Sequence, residues 1–236
     1  MKNKLSILIV VLIAAFATVS VSAQVTNGSF ENGNCVDNNF SGFVEMLAAD
    51  TNIDSWTVGG GVDYICSYWT AADVVRSVDL NGRQPGSVSQ AFATTPGFTY
   101  QVTFSMSGNP DGSSLSEEDP LFSPPIKTLG VSANGSTPQN YSFDTSVAGN
   151  SLGDMRWVSK TYTFTATGAT STLTFASQIV GAFGPALDKV AVTATTGYIC
   201  HHDRGKPVAK TLIVGLDSIP SHIAQHGDTA GPCNAQ

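Results

Sequence analysis

In Phe98–Met106 every second residue is large and apolar. Phe98, Tyr100, Val102, Phe104 and Met106 share one face, and Thr99, Gln101, Thr103 and Ser105 share the other. Successive side chains of a strand point to opposite faces, so this segment can bury one face and wet the other only as a β-strand. Tyr162, Phe164 and Ala166 repeat the pattern, as do Leu173 and Phe175. Shorter strands are predicted around Asp54–Val58, Val62–Ile65, Val75–Leu80, Ser87–Phe92, Lys127–Ala133 and Ala186–Thr193. Turn residues punctuate them, as at Asn81-Gly82, Pro96-Gly97 and Asn109-Pro110-Asp111-Gly112. No long amphipathic helix interrupts the run from about residue 40 to 194. Many short strands with turns between them predict an all-β fold, an antiparallel jelly-roll β-sandwich.

Met1–Ala23 has the three parts of a secretory leader: Lys2 and Lys4, the apolar run Leu5–Phe16, and Val21-Ser22-Ala23 before a cleavage point. The apolar run is shorter than the roughly 20 residues a membrane span needs. Export is the expectation, to the medium or the cell surface, without a transmembrane anchor. The net charge is −7, and −9 once the two leader lysines are gone. An acidic surface with few clustered Lys and Arg excludes nucleic acid as a partner. All four cysteines follow the leader and are bound for an oxidising compartment. Sequence proximity favours Cys35 with Cys66 and Cys200 with Cys233.

The chain divides into a leader at 1–23, a sandwich at 24–194 and a small Cys/His-containing module at 195–236, where the composition changes. All four histidines lie between 201 and 226. Lys210–Val214 predicts a strand, and Ile219–His226 a short helix capped by Ser218 and stopped by Gly227. Within the sandwich, Asn109–Pro125 carries Glu117-Glu118-Asp119 and several prolines, and reads as a solvated insertion rather than a functional lid.

The phrases WTVGGGVDYICSYW (56–69) and RSVDLNG (76–82) resemble the bacterial choice-of-anchor C family. They are similar, more loosely, to plant cell-wall proteins of the domain-of-unknown-function 642 group. SVSQAFATTPGFTYQVTFSMSGNP (87–110), KTLGVSA (127–133), YSFDT (141–145), MRWVSKTYTFTA (155–166) and GPALDKV (184–190) extend the resemblance over Asn27–Val192. It implies a galactose-binding-like sandwich in an extracellular setting with affinity for cell-wall polysaccharide. Two departures are the longer Ser113–Pro125 insertion and Cys66, which stands where the pattern has a small residue. A local disulfide to Cys35 explains the latter.

NGSFENG (27–33) and GPALDKV each place one carboxylate, Glu31 and Asp188, in a segment that reads as a first or last strand. Where such strands meet, hard oxygen ligands suit calcium, which would play a structural part. The alternative is that Glu31 and Asp188 cap turns or accept backbone hydrogen bonds. A second constellation is aromatic: Tyr64, Tyr68 and Trp69, with Asp63 and Arg76 as a polar rim. Exposed rings would stack on sugar C–H faces while the rim groups meet hydroxyls; the alternative is core packing, which Trp56 and Trp157 favour. Third, His222 and His226 share a helix face at a spacing of four. With Cys200 and Cys233 they would complete a zinc shell, with His201 as another ligand, unless the cysteines form a disulfide.

Enzymatic patterns are weak. HIAQH lacks the glutamate of a zinc protease, and no GxSxG elbow is present. GNSLGD (149–154) has no sandwich histidine to activate its serine. The sequence therefore predicts a non-catalytic secreted module that binds a polysaccharide or glycoconjugate. The rival expectation is a structural or adhesive surface protein with the tail as attachment element.

Overall fold

A computed structural model describes residues 25–36, 41–112, 115–203 and 208–233. The leader Met1–Ala23 lies outside the described residues. In chain order the elements are β1 (Phe43–Leu47), β2 (Thr57–Ile65), β3 (Ser77–Asp79), β4 (Gly86–Ala93), β5 (Thr99–Gly108), β6 (Ile126–Ala133), β7 (Gln139–Asp144), the single-turn α1 (Thr145–Ala148), β8 (Val158–Thr165), β9 (Thr170–Ser177) and β10 (Pro185–Ala194). The tail adds β11 (Thr196–His201), β12 (Lys210–Gly215), a 3₁₀ turn (Leu216–Ser218), α2 (Ile219–His226) and β13 (Thr229–Ala230).

The strands form an antiparallel jelly-roll sandwich. One sheet runs β1-β2-β3-β10-β5-β8 and the other β2-β4-β9-β6-β7. β2 belongs to both. Its first half, Thr57–Gly60, pairs with β4, and its second half pairs with β1 and β3. The sequence predicts two strands here, broken by Gly59-Gly60-Gly61; the glycines instead carry one strand across the corner between sheets. Gly60 takes φ +73°, and a Cβ there would stand 2.6 Å from the Pro85 carbonyl oxygen. Only glycine accommodates both.

The predicted apolar faces make the core. Tyr100, Val102, Phe104 and Met106 of β5 meet Tyr162 and Phe164 of β8, Leu173 and Phe175 of β9, and Leu129 and Val131 of β6, all buried. Burying one such side chain contributes roughly 1.5–3 kcal/mol. The amide of Gln90 on β4 accepts from the Thr26 amide and donates to the Thr26 carbonyl. This side-chain bridge binds the first described residues to the sheet much as a strand partner would.

NGSFENG is not the strand the sequence suggests. Asn27 and Phe30 take φ of 52° and 59°, and the Asn27 side chain accepts from the Asn32 amide and donates to the Asn32 and Asp54 carbonyls. The result is a tight turn held by its own asparagine. The turn still meets the last strand: the Val190 amide donates to the Gly28 carbonyl at 2.8 Å.

β11, β12 and β13 form a separate sheet with α2 packed beside it. It joins the sandwich through Phe98 and Tyr198, whose rings meet edge to face at 4.6 Å. The predicted helix is present, but Ser218 does not cap it: the 3₁₀ turn runs into α2, and the Ser218 hydroxyl donates back to the Gly215 carbonyl. Cys35–Cys66 and Cys200–Cys233 are both disulfide-bonded. Among the described residues no helix is long and apolar enough to cross a membrane.

Candidate functional site

Alternation along β1, β2 and β3 sends Met46, Val62, Tyr64 and Val78 into the main core. Their neighbours point to the other face of the same sheet. Register places Glu45 opposite Asp63, and Asp63 opposite Asp79, so three carboxylates stand in one row across three adjacent strands. Like charges directly opposite one another destabilise a sheet, so a chain that keeps such a row is spending stability on it.

An open cleft of about 290 Å³ lies over this row. Phe43, Ile65, Tyr68, Leu121 and Phe183 supply its apolar lining, and Glu45, Asp63, Asp79, Arg83 and Asn109 its polar groups. Asp79 is wholly buried and fully engaged: it accepts from the Asn81 and Gly184 amides and from the Asn109 side chain, each at 2.9 Å. Glu45 pairs with exposed Arg83 at 3.4 Å. Asp63 is different. Among the described residues none donates a hydrogen bond to its carboxylate, which faces the cleft.

The electrostatics follow from that placement. Burial, then the nearby Asp79 and Glu45 carboxylates, push Asp63 up to about 8, against a lowering by Arg83. Burial also raises Asp79 to about 7, despite its three hydrogen bonds and the attraction of Lys127. Lys127 is itself buried and lowered to about 8 by desolvation, with its ammonium donating to the Phe183 carbonyl at 2.8 Å. Near neutrality Asp63 is thus a protonated acid that can donate as well as accept.

The insertion 109–125 is not merely solvated. Asn109 bonds Asp79, Asp111 accepts from the Tyr68 hydroxyl, and Leu121 lines the cleft. Ser123 receives the Phe183 amide at 2.9 Å, which ties the insertion to the 179–184 loop. Together these two loops wall one side of the cleft, while Glu117 and Glu118 remain exposed.

Of the five residues expected to contact a ligand, the structure brings two to the cleft, Asp63 and Tyr68. Tyr64 and Trp69 are corrected to core positions. Tyr64 is fully buried, donating to the Phe30 carbonyl at 2.6 Å, and Trp69 is 4% exposed with its indole N–H on Ser77 Oγ. Neither offers a ring face to a sugar. Arg76 is also a structural group, donating to the Glu31 and Gly33 carbonyls and to the Tyr64 hydroxyl. Trp56 is core as expected, and Trp157 is half-buried with its N–H on the Thr70 carbonyl. Phe43, Glu45, Asp79, Arg83, Asn109 and Phe183 were not picked out by sequence reasoning. The usable signal was parity: acids at alternate positions of otherwise apolar strands.

Glu31 and Asp188 are engaged by one loop. Asp188 accepts from the Ala72 and Asp73 amides at 2.8 Å, and Glu31 from the Val75 and Arg76 amides at 2.9 and 2.7 Å. Asp188 also accepts from the Lys189 amide. The alternative of backbone acceptance therefore describes both acids. Among the described residues no third acidic, histidine or cysteine ligand groups with them.

The family described as "Protein of unknown function (DUF642)" matches residues 23–193. The chain belongs to this family. The curated protein Halomucin of Haloquadratum walsbyi is 34% identical over 201 residues, covering 80% of this chain and 2% of its own length. The chain thus spans a small fraction of that relative. Among solved structures, TmCBM61 in complex with beta-1,4-galactotriose is 15% identical, with 73% of this chain and 99% of that one covered and a TM-score of 0.41. A family 35 carbohydrate-binding module from Clostridium thermocellum is 18% identical over 64% and 98% of the two chains, with a TM-score of 0.42.

The DUF642 match ends before the tail, where a second cluster stands. The Cys200–Cys233 disulfide removes both thiolates from the expected zinc shell. The imidazoles remain together: His201, His222 and His226 have ring centroids 5.7–6.4 Å apart. The turn at Gly227, φ +71°, ends α2 and brings Asp228 back beneath the rings. Its carboxylate meets His201 Nδ1 at 2.9 Å and His222 Nδ1 at 3.1 Å.

Proposed function

We propose that this chain is a non-catalytic carbohydrate-binding module, acting outside the cell or at its surface. Its ligand is a segment of polysaccharide or glycoconjugate held over the Glu45–Asp63–Asp79 row. The observation that carries this reading is the cleft-facing Asp63 carboxyl, which has no hydrogen-bond partner among the described residues, set among Phe43, Tyr68 and Phe183. Ligand sites combine an apolar lining with a few placed polar groups. A pyranose presents apolar C–H faces to rings and hydroxyls to carboxyl, guanidinium and amide groups, which is the mixture here. With its carboxyl pushed up to about 8, Asp63 offers a donor beside the acceptor oxygens of Glu45 in the same row.

The test is retention on immobilised or soluble polysaccharides across a panel of galactans, xylans, mannans and glucans, with and without calcium. Selective retention that is lost in Asp63→Asn and Phe183→Ala supports the reading. Uniform failure of the folded wild type across the panel overturns it. The rival, a structural surface protein, draws on the fact that the similar segment makes up only 2% of Halomucin's length. Self-association without sugar retention would favour that rival.

A further inference from the structure

We infer that the tail holds a divalent transition-metal site of the zinc class, built from His201, His222 and Asp228 and independent of either cysteine. One oxygen or nitrogen from each of the three lies within 4.8 Å of the other two. Two edges of the triangle, 2.9 Å from His201 Nδ1 and 3.1 Å from His222 Nδ1 to Asp228 Oδ2, are slightly shorter than those of a tetrahedral shell, and the third is within 4.8 Å. With zinc–ligand distances of about 2.0–2.1 Å, ligands in such a shell stand about 3.3 Å apart.

The second argument is the far side of His201. Its Nε2 lies 3.0 Å from Asp203 Oδ1. Metal-bound histidines commonly donate their other ring N–H to a carboxylate, which fixes the tautomer and aims the lone pair at the ion. With Nε2–H given to Asp203, the Nδ1 lone pair of His201 points at the Asp228 carboxylate. Two electron-rich groups at 2.9 Å need a cation between them, either a proton or a metal ion. His222 Nδ1 reaches the same carboxylate oxygen at 3.1 Å, so a single divalent ion in the place of that proton can bind both rings.

Asp228 is suited to a ligand's task. It is 2% exposed, and the His202 amide donates to its Oδ1 at 3.0 Å, which orients the carboxylate. His226 stands beside the triangle, leaving the fourth position to its ring or to water. A surface cleft lined by His201, His202, Asp203, Gln225 and His226 gives an ion a route in. The three ligands come from β11, the middle of α2 and the turn after it. A bound ion would therefore cross-link the sheet to the helix next to the Cys200–Cys233 disulfide.

The experiment titrates zinc chloride into the chelator-stripped, oxidised full chain, read by isothermal calorimetry and by competition with a chromophoric chelator. One ion per chain is expected, with micromolar or tighter affinity. His201→Ala and His222→Gln should each weaken it by at least tenfold, since losing even a group that only supports a ligand typically costs 10- to 100-fold. Circular dichroism and a non-reducing mass that retains the disulfide establish that the variants are folded. Absence of saturable one-to-one binding overturns the proposal, as does binding that survives in both folded variants. The sandwich cleft takes no part in this result.

Discussion

Asp63 and Asp79 face each other in register across β2 and β3, the first at the surface of the cleft and the second buried beneath it. Burial raises both acids, Asp79 to about 7 and Asp63, with added repulsion from Asp79 and Glu45, to about 8. Carboxyls raised on folding favour the native state in their protonated form. Their contribution is fully present below the unfolded value near 3.8 and is lost as pH rises towards 8. The melting temperature is therefore expected to fall between pH 5 and 8 in the wild type. Asp63→Asn should flatten that decline and raise stability at pH 8, while abolishing polysaccharide retention. Differential scanning calorimetry across that range checks it; an unchanged slope in the variant would show that Asp63 titrates normally.

Glu31 and Asp188 hold the 72–76 loop through four amides. These amides are half-buried or exposed, so losing one acceptor costs the net value of its hydrogen bonds, about 0.5–1.5 kcal/mol each. Asp188→Asn and Glu31→Ala should each destabilise by that amount, with faster hydrogen exchange at Ala72, Asp73, Val75 and Arg76. The melting temperature should not respond to EDTA or added calcium chloride, since amides already occupy both Asp188 oxygens and Glu31 Oε1. A chelator-induced drop would instead give calcium the closing role.

Trp69 and Tyr68 are adjacent in sequence but opposite in use. Trp69 packs with Ile65, Met155 and Ala186, so Trp69→Ala should cost about 3–5 kcal/mol by opening a cavity. Tyr68 lies at the cleft, and Tyr68→Phe, which removes only the hydroxyl bonded to Asp111, should weaken sugar retention with little loss of stability. Equal stability of the two variants in urea would contradict this division.

The same parity explains what could be read from the sequence. β5, β8 and β9 were legible because each has one wet and one dry face, so alternation alone identifies them. β1 and β7 leave no such pattern: among the described residues β1 pairs only with β2, and β7, with the polar sequence QNYSFD, only with β6. Asp63 and Tyr68, which the sequence marks as candidate ligand contacts, both line the cleft. Tyr64 was read with them, but it follows Asp63 directly and so faces inward with Val62. Asp79 and Phe183 reach the cleft through strand register and loop packing, which lie between distant residues and leave no local pattern. The tail cluster was half legible: i and i+4 histidines show on a helix, whereas Asp228 joins only because Gly227 turns the chain back.

The contact between the two ends of the sandwich gives the sharpest steric prediction. Gly28 sits in the NGSFENG turn against Val190 on β10, with its carbonyl receiving the Val190 amide. A Cβ at Gly28 would stand 1.9 Å from the Val190 carbonyl oxygen, a backbone atom that no side-chain rotation can move away. Gly28→Ala must therefore push the turn off β10, which costs the hydrogen bond from the Val190 amide to the Gly28 carbonyl and loosens the Glu31 hold on the 72–76 loop. Overpacking of this kind destabilises by about 1–3 kcal/mol. The expected signature in hydrogen exchange is loss of protection at Val190, Val75 and Arg76 together, with the β5–β8 pair unaffected. Loss confined to Val190 would show that the turn and the loop are held independently.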